Sequence, residues 1–153
     1  MAVRKNYNLS PSMEDYLEAI LNVADPSGIA RSRDIAATLE VAKPSVTGAL
    51  RQLAKKGLVN YKPYGCVTLT TSGAVLAMKV AKKHDIIKSF LTEILGVDGP
   101  AAQDAACKAE HLLDVSIVSK MSHFTNFAKT RAKKGEDIMH LLKRFSAAGR
   151  AGK

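Results

Sequence analysis

The stretch Lys43-Pro-Ser-Val-Thr-Gly-Ala-Leu-Arg-Gln-Leu-Ala-Lys-Lys-Gly57 decides the fold. Val46, Ala49, Leu50 and Leu53 fall at i, i+3, i+4 and i+7, the stripe of a helix with one buried face. Pro44 sits where a first-turn proline is tolerated, and Gly57 is a natural stop. The opposite face carries Ser45, Thr47, Gly48, Arg51, Gln52 and Lys55. Working backwards, Ser32 to Leu39 predicts a short helix opened by Ser32. Ser12 to Val23 predicts another, with Ser12 as cap and Asp25-Pro-Ser-Gly28 as terminator. Working forwards, 58–61 and 66–70 alternate like strands around Lys62-Pro-Tyr-Gly65, which predicts a hairpin. Helix, helix, turn, helix, hairpin is the order of a winged helix-turn-helix. Its third helix enters the major groove and its hairpin touches the flanking backbone.

Beyond the hairpin the pattern stays helical. A long helix is expected from Thr71 or Ser72 to Leu95, then two more at about 101–114 and 116–129, and a weaker one at about 136–147. The expected class is mainly α, divided into a DNA-binding domain (1–72), a helical domain (73–130) and a basic helix and tail (131–153).

Charge supports the nucleic-acid reading. The 153 residues carry a net +9, unevenly: residues 31–83 are net +8 and 116–153 net +7, while 1–30 and 84–115 are net acidic. A basic excess this local points to phosphate. On the third helix Arg51 suits bidentate recognition of guanine and Gln52 of adenine, with the Ser45 and Thr47 hydroxyls free to serve base or phosphate. Lys43, Lys55, Lys62 and Tyr64 complete the expected DNA-contacting set. The bland alternative is the polar side of an ordinary surface helix.

Several classes are excluded. No apolar run approaches the roughly 18 residues of a spanning helix, and Met1 to Met13 lacks the apolar region of a secretion signal. Two cysteines, Cys66 and Cys107, make neither a disulfide scaffold nor a zinc finger, and a cytoplasmic home is expected.

The second half carries a candidate metal site. Cys107, Glu110 and His111 stand at i, i+3 and i+4, so a helix would place them on one face. Thiolate, carboxylate and imidazole together suit a first-row transition metal rather than calcium or magnesium. Asp15 and Glu18, three apart, point away from the first helix's apolar stripe, and His84 stands inside the long helix. Each has a bland reading: a solvated face for Asp15 and Glu18, a small buried hydrophobe for Cys107, a surface histidine for His84. Spacing alone does not join residue 15 to residue 111.

Ser12-Met-Glu-Asp-Tyr-Leu-Glu-Ala-Ile20, Asp34-Ile-Ala with Pro44-Ser-Val-Thr47, Gly57-Leu-Val, Leu69-Thr-Thr-Ser-Gly73, His84-Asp-Ile-Ile-Lys-Ser-Phe-Leu91, Leu95-Gly-Val-Asp98 and Glu110-His111 follow one another in the right order and spacing. Over residues 9–124 the chain thereby resembles the metal-dependent repressors of the diphtheria-toxin-repressor and manganese-transport-regulator type. The resemblance implies a divalent metal as co-repressor, held by Asp15, Glu18, His84, Cys107, Glu110 and His111. It also implies homodimerisation through the helices after the wing, a palindromic operator, and control of metal-uptake genes. The manganese-type members have glutamate where this chain has Cys107, and the iron-type members have cysteine; the Asp15 and Glu18 pair is the manganese-type arrangement. Fe(II) or Mn(II) is therefore the expected activator, with Co(II), Ni(II) and Zn(II) able to substitute in vitro. Lys88 and Gln103 replace ancillary ligands of the iron-type branch, and the SH3-like domain of the longer branch is expected to be absent. Two rivals from other classes are a metal-independent architectural DNA binder and a hydrolase using Cys107 with His111 or His84. The second lacks an oxyanion-hole signature.

Overall fold

The computed structural model describes residues 7–62 and 65–135, together with 140 and 143. The expected helix at 136–147 lies largely outside the described residues, as does Tyr64. The chain divides into two units, Met1–Ala81 and Lys82–Lys153.

The first unit begins with α1 (Pro11–Val23), whose cap is Ser10 rather than Ser12. The Ser10 hydroxyl accepts from the Met13 amide at 3.3 Å, and Pro11 occupies the first turn, where its missing N–H costs nothing. Asp25 ends the helix by organising the next loop. Its carboxylate accepts from the Ser27 hydroxyl (2.6 Å) and from the Ser27 and Ile29 amides (2.9 and 3.0 Å). These bonds, the Ser27 hydroxyl first, hold the Asp25 carboxyl below its ordinary range.

A two-residue strand β1 (Ile29–Ala30) follows, too short to show alternation in sequence. Next comes α2 (Ser32–Leu39), where Arg31 is the cap position and Ser32 is already helical. Helix α3 (Lys43–Lys55) ends in a Schellman motif: the Leu58 amide donates to Leu53 O at 3.0 Å and the Gly57 amide to Ala54 O at 2.9 Å, with Gly57 at φ 73°. Strands β2 (Val59–Tyr61) and β3 (Val67–Leu69) form the expected hairpin, and β1 pairs with the other edge of β3 in the order β1-β3-β2, antiparallel throughout. Leu17, Ile20, Ile35, Val46, Leu50, Leu53, Leu58 and Val67 form the centre of the core. At about 1.5–3 kcal/mol for each large side chain removed from water, this core orients α3 with its polar face outward.

Helix α4 (Thr71–Ser89) starts against the hairpin. Thr70 caps it, accepting from the Gly73 amide at 3.1 Å while its hydroxyl donates to Gly57 O (2.8 Å). A Cβ on Gly73 would lie 1.9 Å from Leu58 O, so only glycine allows this approach.

In the second unit, α4 gives way to a π-helical segment, Phe90–Ile94, where continuous α-helix was expected. Within this segment the Thr92 hydroxyl donates to Lys88 O (3.0 Å). The Leu95 amide reaches back to Phe90 O. Gly96 at φ 67° reverses the chain, and Asp98 caps α5 (Gly99–Ala109), accepting from the Ala101 amide at 3.1 Å. Helix α6 (Val115–Lys133) runs further than the expected residue 129, since no breaker precedes Gly135. Ile87, Ala106 and Val118 form this unit's core, flanked by Leu91, Leu113 and Met121. Phe90 meets Phe124 edge to face at 6.4 Å, and Glu93 pairs with Lys129 at 2.5 Å.

Candidate metal centre and nucleic-acid interface

Within the second unit, α4 and α5 bring together four of the side chains singled out in the sequence. His84 is buried, 7% exposed, and its Nδ1–H donates to Glu110 Oε2 at 2.8 Å. Glu110 is 1% exposed, and its other oxygen lies 3.4 Å from His111 Nε2. Cys107 Sγ lies 3.9 Å from His84 Nδ1. The reading of His84 as a surface histidine is thereby overturned. So is that of Cys107 as a buried hydrophobe, because it is exposed.

The spacing that united Cys107, Glu110 and His111 works for a narrower reason than expected. Helix α5 stops at Ala109, Glu110 is its C-cap, and His111 lies in the following turn. Glu110 keeps helical angles (φ −61°, ψ −29°), which carries the register one residue further. Gln103, one turn before Cys107, brings its amide nitrogen to 3.9 Å from the thiol sulfur. Its i−4 position on α5 was the signal that could have placed it there.

Burying a carboxylate this completely is costly unless it meets positive charge or strong donors. Here Glu110 touches an imidazole with each oxygen, and His84 also approaches the Cys107 thiol, so hard and soft donors lie along one chain of pairwise contacts. That set fits a divalent first-row transition ion, which would supply positive charge to the buried carboxylate and hold its donors in fixed directions. His84, Cys107, Glu110 and His111 are the residues of this unit that would hold it. In the first unit, Asp15 and Glu18 sit one turn apart on α1, both partly exposed beside the buried Tyr16, Leu17, Ala19 and Ile20.

The other surface is α3 with its wing. Lys43, Ser45, Arg51, Gln52 and Lys55 are exposed, and Lys62 is exposed at the end of β2. Thr47 is half-buried, and its hydroxyl donates to Lys43 O at 3.3 Å, leaving the oxygen as an acceptor. Asn60 and Thr68 bond across the hairpin at 3.1 Å, fixing the base of the wing. No helix among the described residues is long and apolar enough to cross a membrane.

Comparison with known proteins covers both halves of the chain. Residues 8–67 match the iron-dependent repressor N-terminal DNA-binding domain, and residues 70–139 match the iron-dependent repressor metal-binding and dimerisation domain. An uncharacterized HTH-type transcriptional regulator of Methanocaldococcus jannaschii is 38% identical over 117 residues, covering 76% of this chain and 94% of the relative. The HTH-type transcriptional regulator MntR of Oceanobacillus iheyensis is 31% identical over 134 residues, covering 88% and 90%. Among solved structures, a manganese-dependent transcriptional repressor in complex with manganese superposes with a TM-score of 0.68 at 26% identity, covering 75% of this chain and 53% of that one. The chain thus spans most of these curated relatives but about half of that solved repressor. These relatives are transcriptional regulators and not enzymes, which removes the hydrolase rival. With a winged helix-turn-helix that exposes a basic recognition helix, and a separate helical module with a mixed-donor cluster, the chain belongs to the iron-dependent repressor family of metal-dependent, DNA-binding, dimerising transcriptional regulators.

Proposed function

We propose that this protein is a cytoplasmic homodimeric repressor, activated by Fe(II) or Mn(II), that binds a palindromic operator and controls metal-uptake genes. The observation that carries the reading is the buried Glu110 carboxylate held between His84 and His111, with the Cys107 thiol beside His84, in the half of the chain that matches the metal-binding module. Asp15 and Glu18 complete the proposed ligand set. Since they belong to the DNA-binding unit, a metal held by both sets restricts how the two recognition helices are presented. It activates only to the extent that it binds the DNA-competent arrangement more tightly. The proposed recognition surface is Lys43, Ser45, Thr47, Arg51, Gln52 and Lys55, with Lys62 of the wing on the backbone.

The donor set favours Fe(II) over Mn(II). Carboxylates from Asp15, Glu18 and Glu110 suit both ions, whereas a Cys107 thiolate adds a softer donor that manganese uses less well. The test is an operator mobility shift across Mn(II), Fe(II), Co(II), Ni(II) and Zn(II) with a chelator control. Retardation that requires metal, with Fe(II) or Co(II) acting at lower concentration than Mn(II), supports the proposal. Retardation indifferent to the chelator would instead make this a metal-independent basic DNA binder.

A further inference from the structure

Gly48 is the sixth residue of α3, and among the described residues it is the single glycine lying past the first turn of a helix. Glycine there is the least favourable choice after proline, because it has the most backbone freedom to lose. The fold offers no compensation. The Gly48 φ is not positive, and a Cβ built on it would meet nothing within 4 Å. Gly73 is the contrasting case, since there Leu58 O excludes any side chain.

The position is exposed, and its neighbours one turn away on the same face are Ser45, Arg51 and Gln52, all exposed. A notch therefore interrupts the middle of the recognition face, between a hydroxyl and two long polar side chains. Resting on the proposed operator binding, we infer that Gly48 is a specificity-determining residue that seats the C5 methyl group of a thymine in the major groove. The chemistry selects this group. Guanine, adenine and cytosine present nitrogen and oxygen groups that lose hydration when covered, and a bare Cα–H returns no hydrogen bond to them. The thymine methyl needs none, and it is the one apolar group on the major-groove edges that a notch without a side chain can seat.

The experiment compares Gly48→Ala and Gly48→Ser with the wild-type chain, Co(II)-loaded, on the operator, on random-sequence duplex, and on operators with single thymines replaced by uracil, which lack only that methyl. Thermal melting reports folding; Gly48→Ala is expected to melt no lower than wild type. Binding to random duplex should stay within about twofold, while operator affinity falls about tenfold or more, the scale of one mismatched base pair. Uracil at one thymine of each half-site should restore most of the variant's loss. Wild-type affinity of Gly48→Ala for the operator would overturn the inference. Equal losses on operator and random duplex, or a loss that no uracil relieves, would do the same. If the wild-type chain with Co(II) retards no operator, the DNA-binding proposal itself falls, and the inference with it.

Discussion

Replacing Gly73 by alanine tests the junction that ties α4 to the winged domain. The new Cβ would stand 1.9 Å from Leu58 O and 2.9 Å from the carbonyl carbon, where ordinary contact begins at 3.4 Å. Both obstacles are backbone, so no rotamer change relieves them; the first turn of α4 must retreat by about 1.5 Å. That retreat breaks the bond from the Thr70 amide to Leu58 O (3.0 Å) and the Gly73 amide's bond to the Thr70 hydroxyl (3.1 Å). At roughly 1 kcal/mol for each of these two bonds, plus about 1–3 kcal/mol of overpacking, the cost is about 3–5 kcal/mol. Alanine's better helix propensity returns at most about 1 kcal/mol. A net loss near 3 kcal/mol is a large share of the ~5–15 kcal/mol typical of a folded domain. With a urea m-value of about 1–3 kcal/mol per molar, the denaturation midpoint should fall by on the order of 1–3 M. The same substitution at Gly48, where nothing lies within 4 Å, should leave the midpoint unchanged or raise it. A Gly73→Ala midpoint equal to wild type would refute the close approach of α4 to the hairpin.

Other outcomes follow from the same geometry. Arg51→Ala should cost roughly 1–3 kcal/mol on the operator and relax base preference, whereas Lys62→Ala should weaken operator and random duplex alike and lower the salt slope by about one unit; competition titrations at several salt concentrations separate the two. Asp15→Ala and Glu18→Ala should each abolish metal-stimulated operator binding while gel filtration still shows a dimer, and a normal metal response in either would remove that residue from the ligand set. Asp25 has a carboxyl held below its usual range by the Ser27 hydroxyl and loop amides, so it stabilises the fold above the ordinary carboxylate pKa and stops doing so as pH falls through its lowered one. The stability gap between wild type and Asp25→Ala, read from urea midpoints, should therefore be widest near neutral pH and close in strong acid.

Much of the winged domain was legible because its elements follow one-dimensional rules. The stripe Val46–Leu53 and the Gly57 stop define α3 to within a residue at each end, and the alternation on either side of Lys62 defines the hairpin. Cap identity was harder to read. Ser10 and Ser12 both precede the apolar stripe, and only the position of Pro11 in the first turn distinguishes them. The π-helical segment was hidden because its side chains keep a roughly helical spacing, and the shift from i−4 to i−5 bonding leaves no mark in the residue pattern. The metal cluster divides the same way. Cys107, Glu110 and His111 could be read from spacing, whereas the pairing of Glu110 with His84, 26 residues away, exists only once α4 and α5 have packed around Ile87 and Ala106.

The most direct test of the central claim, that metal at this cluster switches on DNA binding, is a single Co(II) titration followed in two signals. One is the sulfur-to-cobalt charge-transfer absorption and the other is operator anisotropy. The two should rise together and saturate at the same cobalt equivalents. Cys107→Ser should lose the band, and Glu110→Ala should lose the anisotropy response. Operator binding that saturates with no sulfur band in the wild-type protein would show that the activating metal sits elsewhere, and would contradict the assignment of Cys107.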